Sequence, residues 1–202
     1  MNAKITALAE PEQGWRYHSG STIYVERFRD GRLMAASWQD TGVPIYADAE
    51  DADMAAFDLQ VDGESLGFGW NLVKSEVANP DSTGGLPETR LMLQHTLKPV
   101  RLEITTQSSG GGFLRRRMRL TNTSPGTTLG LTAVTPFSAV LWPMSDNLRE
   151  NLQEARGVPY RAGWFQDVDW GNEGNFQWQE IPLNTELAFG SQRGRSGHTS
   201  PF

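Results

Sequence analysis

The feature that most limits what this chain can fold into is the way turns cut it into short runs. "RDGR" (29–32), "VDGES" (61–65), "NPDSTGGLP" (79–87), "QSSGGG" (107–112) and "TSPGTT" (123–128) concentrate glycine, proline, asparagine, aspartate and serine. These residues supply positive φ, a fixed φ or a local side-chain hydrogen bond. Between and around them, "STIYVERF" (21–28), "RLMAASW" (32–38), "FDLQV" (57–61), "RLMLQHTL" (90–97), "PVRLEITT" (99–106), "FLRRRMRLTN" (113–122) and "LGLTAVTPFSAVLW" (129–142) read as extended. Helical periodicity is confined to "SDNLREN" (145–151), one or two turns capped by Ser145 or Asp146. Many short strands with such turns predict an all-β fold, an antiparallel β-sandwich or barrel. The acidic segment 43–56 reads as a surface connection.

The clearest local unit is a hairpin of 99–106 with 113–122. Val100, Leu102 and Ile104 share one face of the first strand, with Arg101, Glu103 and Thr105 on the other. On the second strand Leu114, Met118 and Leu120 share a face that Arg116 interrupts, while Phe113, Arg115, Arg117 and Arg119 lie opposite. The outer arginines read as a solvated sheet face beside Glu103, where cross-strand charge pairs contribute about 0.2–1 kcal/mol. Arg116 is the exception, placed either at a sheet edge or against a carboxylate.

With 202 residues, one core can bury roughly 70% of the unfolded surface. A single sandwich is therefore expected, with residues 1–56 supplying N-terminal strands and the acidic connection, and 57–202 the rest of the core. Lys and Arg total 18 against 24 Asp and Glu, a formal charge of −6, which argues against a nucleic-acid partner. No run approaches the roughly 20 apolar residues that span a bilayer. The N-terminus lacks the apolar stretch of a signal peptide, so a cytoplasmic location is expected. The absence of cysteine removes disulfides, thiol nucleophiles and zinc–cysteine sites.

The stretch that invites a catalytic reading is "WFQDVDWGNEGNFQW" (164–178). Asp167 and Asp169, two apart on an extended chain, would stand about 6.6 Å apart by strand rise, near the separation of an inverting glycosidase pair. Neighbours on one strand face point the same way, however, whereas an acid/base pair must flank the bond. The stretch also echoes a calcium loop, but Trp170 and Gly171 fall where further oxygen ligands belong. His18, His95 and His198 show no metal or triad spacing. His95 reads as a half-buried sheet residue with Leu91, Leu93 and Leu97 on its face. No metal and no cofactor is expected. Asn122-Thr123-Ser124 fits the N-glycosylation pattern, relevant only in a secretory eukaryote. Trp164, Trp170 and Trp178 are large enough for sandwich packing and flat enough for stacking on sugars. Together with Asp167 and Asp169 they form the candidate carbohydrate-binding set.

Five pieces in order carry a family resemblance: "HTLKPVRLEITT" (95–106), "RRMRLTNTS" (116–124), "VTPFSAVLW" (134–142), "GWFQDVDWGNEGNFQWQEIP" (163–182) and "GRSGHTSPF" (194–202). They resemble the N-terminal domain of glycoside hydrolase family 36 α-galactosidases, and "FDLQVDGESLGFGW" (57–70) is a possible start of the match; residues 1–56 find no place in it. The resemblance implies a β-supersandwich of galactose-mutarotase-like fold, incomplete at the C-terminus, preceding a (β/α)₈ catalytic barrel. In that family two aspartates, a nucleophile and an acid/base, act by double displacement. The nucleophile's Lys-Trp-Asp-type strand end does not occur in this sequence, so no catalytic residue carries over. The implied partners are that barrel, a galactoside-type carbohydrate and further copies of the chain in a homo-oligomer. Stretch 164–178 then reads as a sandwich corner, turned at Gly171 and Gly174, and as a wall of the sugar cleft. Two rival readings stand beside this one. The first is a stand-alone carbohydrate-binding module. The second is an aldose-epimerase relative, which would need His95 and Glu103 to converge in a groove.

Overall fold

The computed structural model describes residues 3–8, 13–39, 54–80, 84–138, 160–165 and 176–181. Two compact units are present, residues 1–142 and 143–202. Among the described residues every regular element is a strand and every pairing is antiparallel. No described helix is long and apolar enough to cross a membrane.

The first unit holds three sheets. β1 (Ala3–Leu8), β2 (Gln13–Ser19), β3 (Thr22–Arg29), β4 (Arg32–Gln39) and β5 (Met54–Ala55) pair in chain order. β8 (Trp70–Ala78), β9 (Glu88–His95), β10 (Val100–Ser108) and β11 (Leu114–Asn122) form a four-stranded meander with β11 at one edge. β6 (Asp58–Val61) pairs with β7 (Glu64–Ser65) and with β12 (Leu131–Thr135).

Alternation decides which side of each sheet is apolar. Trp15, Tyr17, Tyr24, Leu33 and Ala35 of the first sheet pack with Leu91, Leu93, Val100, Leu102 and Ile104 of the second, and Phe57, Leu59, Val61, Leu66 and Trp70 belong to the same cluster. This is the face-to-face packing of a β-sandwich. β3 is buried on both faces, since Ile23 and Val25 form a second cluster with Leu8.

Two tight turns explain the hairpin signals. Asp30 and Gly31 both have positive φ between the paired Arg29 and Arg32, and Asp62 and Gly63 do the same between Val61 and Glu64, the primed geometry that matches strand twist. The Gly31 turn also joins the sheets, because its carbonyl accepts a 2.9 Å bond from the Trp70 amide. At the other end Ser19 Oγ donates to the Phe113 carbonyl (2.9 Å) and accepts from the Gly110 amide (3.0 Å). Along the β1 edge, Asn79 accepts from the Ile5 amide (2.8 Å) and donates to its carbonyl (2.7 Å).

Several expectations need correction. Strands β1, β2 and β8 fall outside the extended runs that the turn pattern marks, and residues 54–55 of the acidic connection form a strand. β9 ends at His95, so Leu97 is not on its face but in the following turn, 84% exposed. Within the described part of the extended run at 129–142, residues 129–138, strand covers Leu131–Thr135. The expected helical turn at 145–151 lies outside the described residues.

Candidate functional site

The second unit carries β13 (Tyr160–Phe165) and β14 (Phe176–Ile181), an antiparallel ribbon. The structure places two of the five candidate carbohydrate residues, Trp164 on β13 and Trp178 on β14. Asp167, Asp169 and Trp170 lie outside the described residues. Register pairs Gly163 with Trp178 and Trp164 with Gln177, and directly opposed residues share a face. Positions 164 and 178 therefore occupy opposite faces of the ribbon. Trp178 is 65% exposed.

The chemically richest cluster among the described residues is one that sequence spacing does not assemble. Glu26 on β3 and Arg116 on β11 form an ion pair with no exposed side-chain surface on either partner. Tyr17 Oη donates to Glu26 Oε2 (2.9 Å) and Tyr24 Oη to Oε1 (3.0 Å). Arg116 Nε donates to Thr106 Oγ1 (2.9 Å), and its Nη1 to the carbonyls of Ala56 and Pro136 (3.3 Å each). The guanidinium lies 4.2 Å from the Phe137 ring centroid. Tyr17 and Thr89 hydroxyls bond at 2.8 Å. Arg116, the break in the apolar face of its strand, thus reaches a carboxylate across the sandwich. The sequence signal for it is the charged residue in a leucine–methionine row. Its partner is hidden in "YVERF", where glutamate looks like an ordinary outward residue.

Burial pushes both tyrosine hydroxyls well above their ordinary range, helped by the Glu26 carboxylate. Burial alone would lower the Arg116 guanidinium, but the Glu26 charge and the facing tyrosines more than offset it and hold it protonated. Because Tyr17, Glu26 and the Arg116 side chain are closed to solvent, this arrangement ties sheets together and offers no atom to a substrate.

His95 is similarly occupied. Its Nε2 bonds the Phe68 carbonyl at 3.0 Å, and Nδ1 accepts from the amides of Leu97 (3.2 Å) and Lys98 (2.9 Å). Two donors on Nδ1 fix the neutral tautomer with its proton on Nε2. Burial lowers the ring's pKa, and Lys98 adds to this against the Phe68 bond. Trp70 packs edge-on at 4.9 Å. His95 faces the core with Leu91 and Leu93, whereas Glu103 alternates with the buried Leu102 and Ile104 and faces outward. The pair does not converge, which removes the geometric basis for the epimerase reading. Among the described residues no cluster of His, Asp or Glu could hold a metal.

No family model matches the chain, and no curated protein matches it. Among solved structures it is similar to the crystal structure of GH36 α-galactosidase AgaB from Geobacillus stearothermophilus, with a TM-score of 0.55 and 14% identity. The likeness covers 96% of this chain and 31% of that one. At such identity it is a likeness of fold, and the chain spans about a third of the length of the protein it resembles.

Proposed function

We propose that this chain serves as the sandwich domain of an α-galactosidase-like glycoside hydrolase, supporting a catalytic (β/α)₈ barrel and adding a wall to its sugar cleft. The observation that carries this is the fold likeness across 96% of the chain to a part of one GH36 α-galactosidase. The ordered motifs from "HTLKPVRLEITT" to "GRSGHTSPF" point the same way independently. The chemistry of the core agrees with a supporting role: its buried acid, base and hydroxyls are consumed by one another, and His95 by backbone.

The coding sequence adjoining this chain is the test. It should encode a barrel with two aspartates placed for double displacement. A chain that functions with no such barrel in its own or a neighbouring reading frame would contradict the proposal. A second reading, a carbohydrate-binding module, draws on the exposure of Trp178. It requires galactosides to quench tryptophan fluorescence saturably in this chain alone. Quenching that is linear in sugar concentration would remove it.

A further inference from the structure

The unexplained feature of the surface is β11. Among the described residues it is a nine-residue edge strand, long for an edge that natural sheets usually shorten, bulge, cover or line with charge. Its outer row is Arg115, Arg117 and Arg119, all exposed. On this sheet Lys74 pairs with Glu76, and Arg90 with Glu88, which also accepts a 2.7 Å bond from Gln107. Among the described residues these carboxylates are thereby taken, and the three arginines keep no ion-pair partner. Glu103 stands opposite Arg119 in register without forming an ion pair with it. On a chain of formal charge −6, this row is a local inversion of sign.

Backbone alternation shows what the edge offers. At the two ends of the ladder the Thr123 amide bonds Pro99 (2.7 Å) and the Ser109 amide bonds Phe113 (3.1 Å). Both pairs extend the register that matches Glu103 with Arg119 and Thr105 with Arg117. In an antiparallel ladder hydrogen-bonded pairs alternate with non-bonded ones. Odd-numbered residues of β11 therefore bond to β10, and Leu114, Arg116, Met118 and Leu120 direct their amides and carbonyls away from it. Among the described residues no strand receives them.

We infer that the β11 edge is a docking strand for an acidic extended segment of another polypeptide, added to the sheet by main-chain pairing. An incoming residue opposite each of Arg115, Arg117 and Arg119 falls in a non-hydrogen-bonded pair, where side chains approach most closely. Those positions take Asp or Glu, about 6.7 Å apart by strand rise. The alternate positions lie beside the half-buried Leu114, Met118 and Leu120 and take apolar side chains. The partner thus carries acidic and apolar residues in strict alternation. A second copy of β11 is excluded as occupant, since antiparallel self-pairing sets arginine against arginine, which is destabilising.

The test is titration of this chain with a labelled, end-blocked seven-residue peptide alternating valine and glutamate, at low salt. Saturable binding is expected, with amides of Met118 and Leu120 gaining protection from hydrogen exchange. It should weaken about tenfold in the triple variant Arg115→Gln, Arg117→Gln, Arg119→Gln, through the combined loss of three cross-strand charge pairs. Single variants at the same positions should give graded losses. A peptide of the same composition with its three glutamates contiguous should bind more weakly. Equal binding of the two peptides would reduce the site to unspecific attraction and overturn the inference, as would no binding at all. Met118 and Leu120 amides already protected without peptide would show the edge filled by the chain itself, and would also overturn it.

Discussion

Arg116 and Glu26, ninety positions apart in sequence, meet across the sandwich as an ion pair with neither side chain reaching solvent. Such a pair contributes little over a well-packed apolar replacement, but removing one partner strands a buried charge at a cost of roughly 3–5 kcal/mol. Arg116→Met should therefore lower stability in urea by about that much. Adding Glu26→Gln to it should recover part of the loss. Additive losses in the double variant would show that the two residues act independently.

Tyr17 and Tyr24 hold the same carboxylate. Each hydroxyl donates to a charged acceptor in a closed environment, a bond worth about 1.5–3 kcal/mol. Tyr17→Phe and Tyr24→Phe should each destabilise within that range in equilibrium unfolding, with little effect on secondary structure by circular dichroism. A loss below about 0.5 kcal/mol, the level of an ordinary surface change, would contradict the network.

His95 makes stability depend on pH. Its folded pKa lies below the ordinary 6.5, burial being the first cause, so the folded state prefers the neutral ring. Its contribution is complete above 6.5 and declines as pH falls from there through the lowered folded value. His18 is lowered too, by partial burial and then by Arg16 and Lys4, and acts in the same direction. The urea midpoint should drop between pH 7.5 and pH 5, and His95→Gln and His18→Gln should each flatten the drop. An unchanged slope in His95→Gln would contradict the lowered folded pKa of His95.

The two primed turns separate backbone strain from crowding. Gly31 and Gly63 have nearly the same positive φ, but a Cβ at Gly31 would stand 3.2 Å from the Trp70 carbonyl oxygen while one at Gly63 meets nothing within 4 Å. Gly63→Ala should cost about 1 kcal/mol or slightly more, from conformation alone. Gly31→Ala should cost clearly more, because the turn must also shift against β8. Thermal unfolding of the two variants decides; equal costs would mean that the contact yields freely.

Period-two alternation makes the hairpin of β10 and β11 legible in the amino-acid sequence, including the inward Val100, Leu102 and Ile104 and the outward arginines. Turn chemistry likewise marks Asp30-Gly31 and Asp62-Gly63. What stays hidden has a physical reason in each case. β1, "AKITAL", is a short edge strand with little to set it apart, and β2, "QGWRYHS", alternates large buried rings with polar residues of similar bulk. β8 carries exposed Val73 and a register shift between Leu72 and Lys74, so its alternation is broken. The glutamate that meets Arg116 cannot be found from spacing, because long-range pairing across two sheets leaves no local pattern. His95 is legible as a core residue, but its role in binding the turn at Leu97 and Lys98 depends on where β9 stops. Of the candidate carbohydrate residues, sequence supplies the identities, and only register can show that positions 164 and 178 lie on opposite faces.

The central claim, that this chain supports glycoside hydrolysis without performing it, is tested most directly by steady-state assay of the chain alone on an aryl α-galactoside. The expected result is release of the aryl group at the rate of buffer at every protein concentration. Hydrolysis that rises in proportion to protein and disappears in Asp167→Asn or Asp169→Asn would contradict the claim.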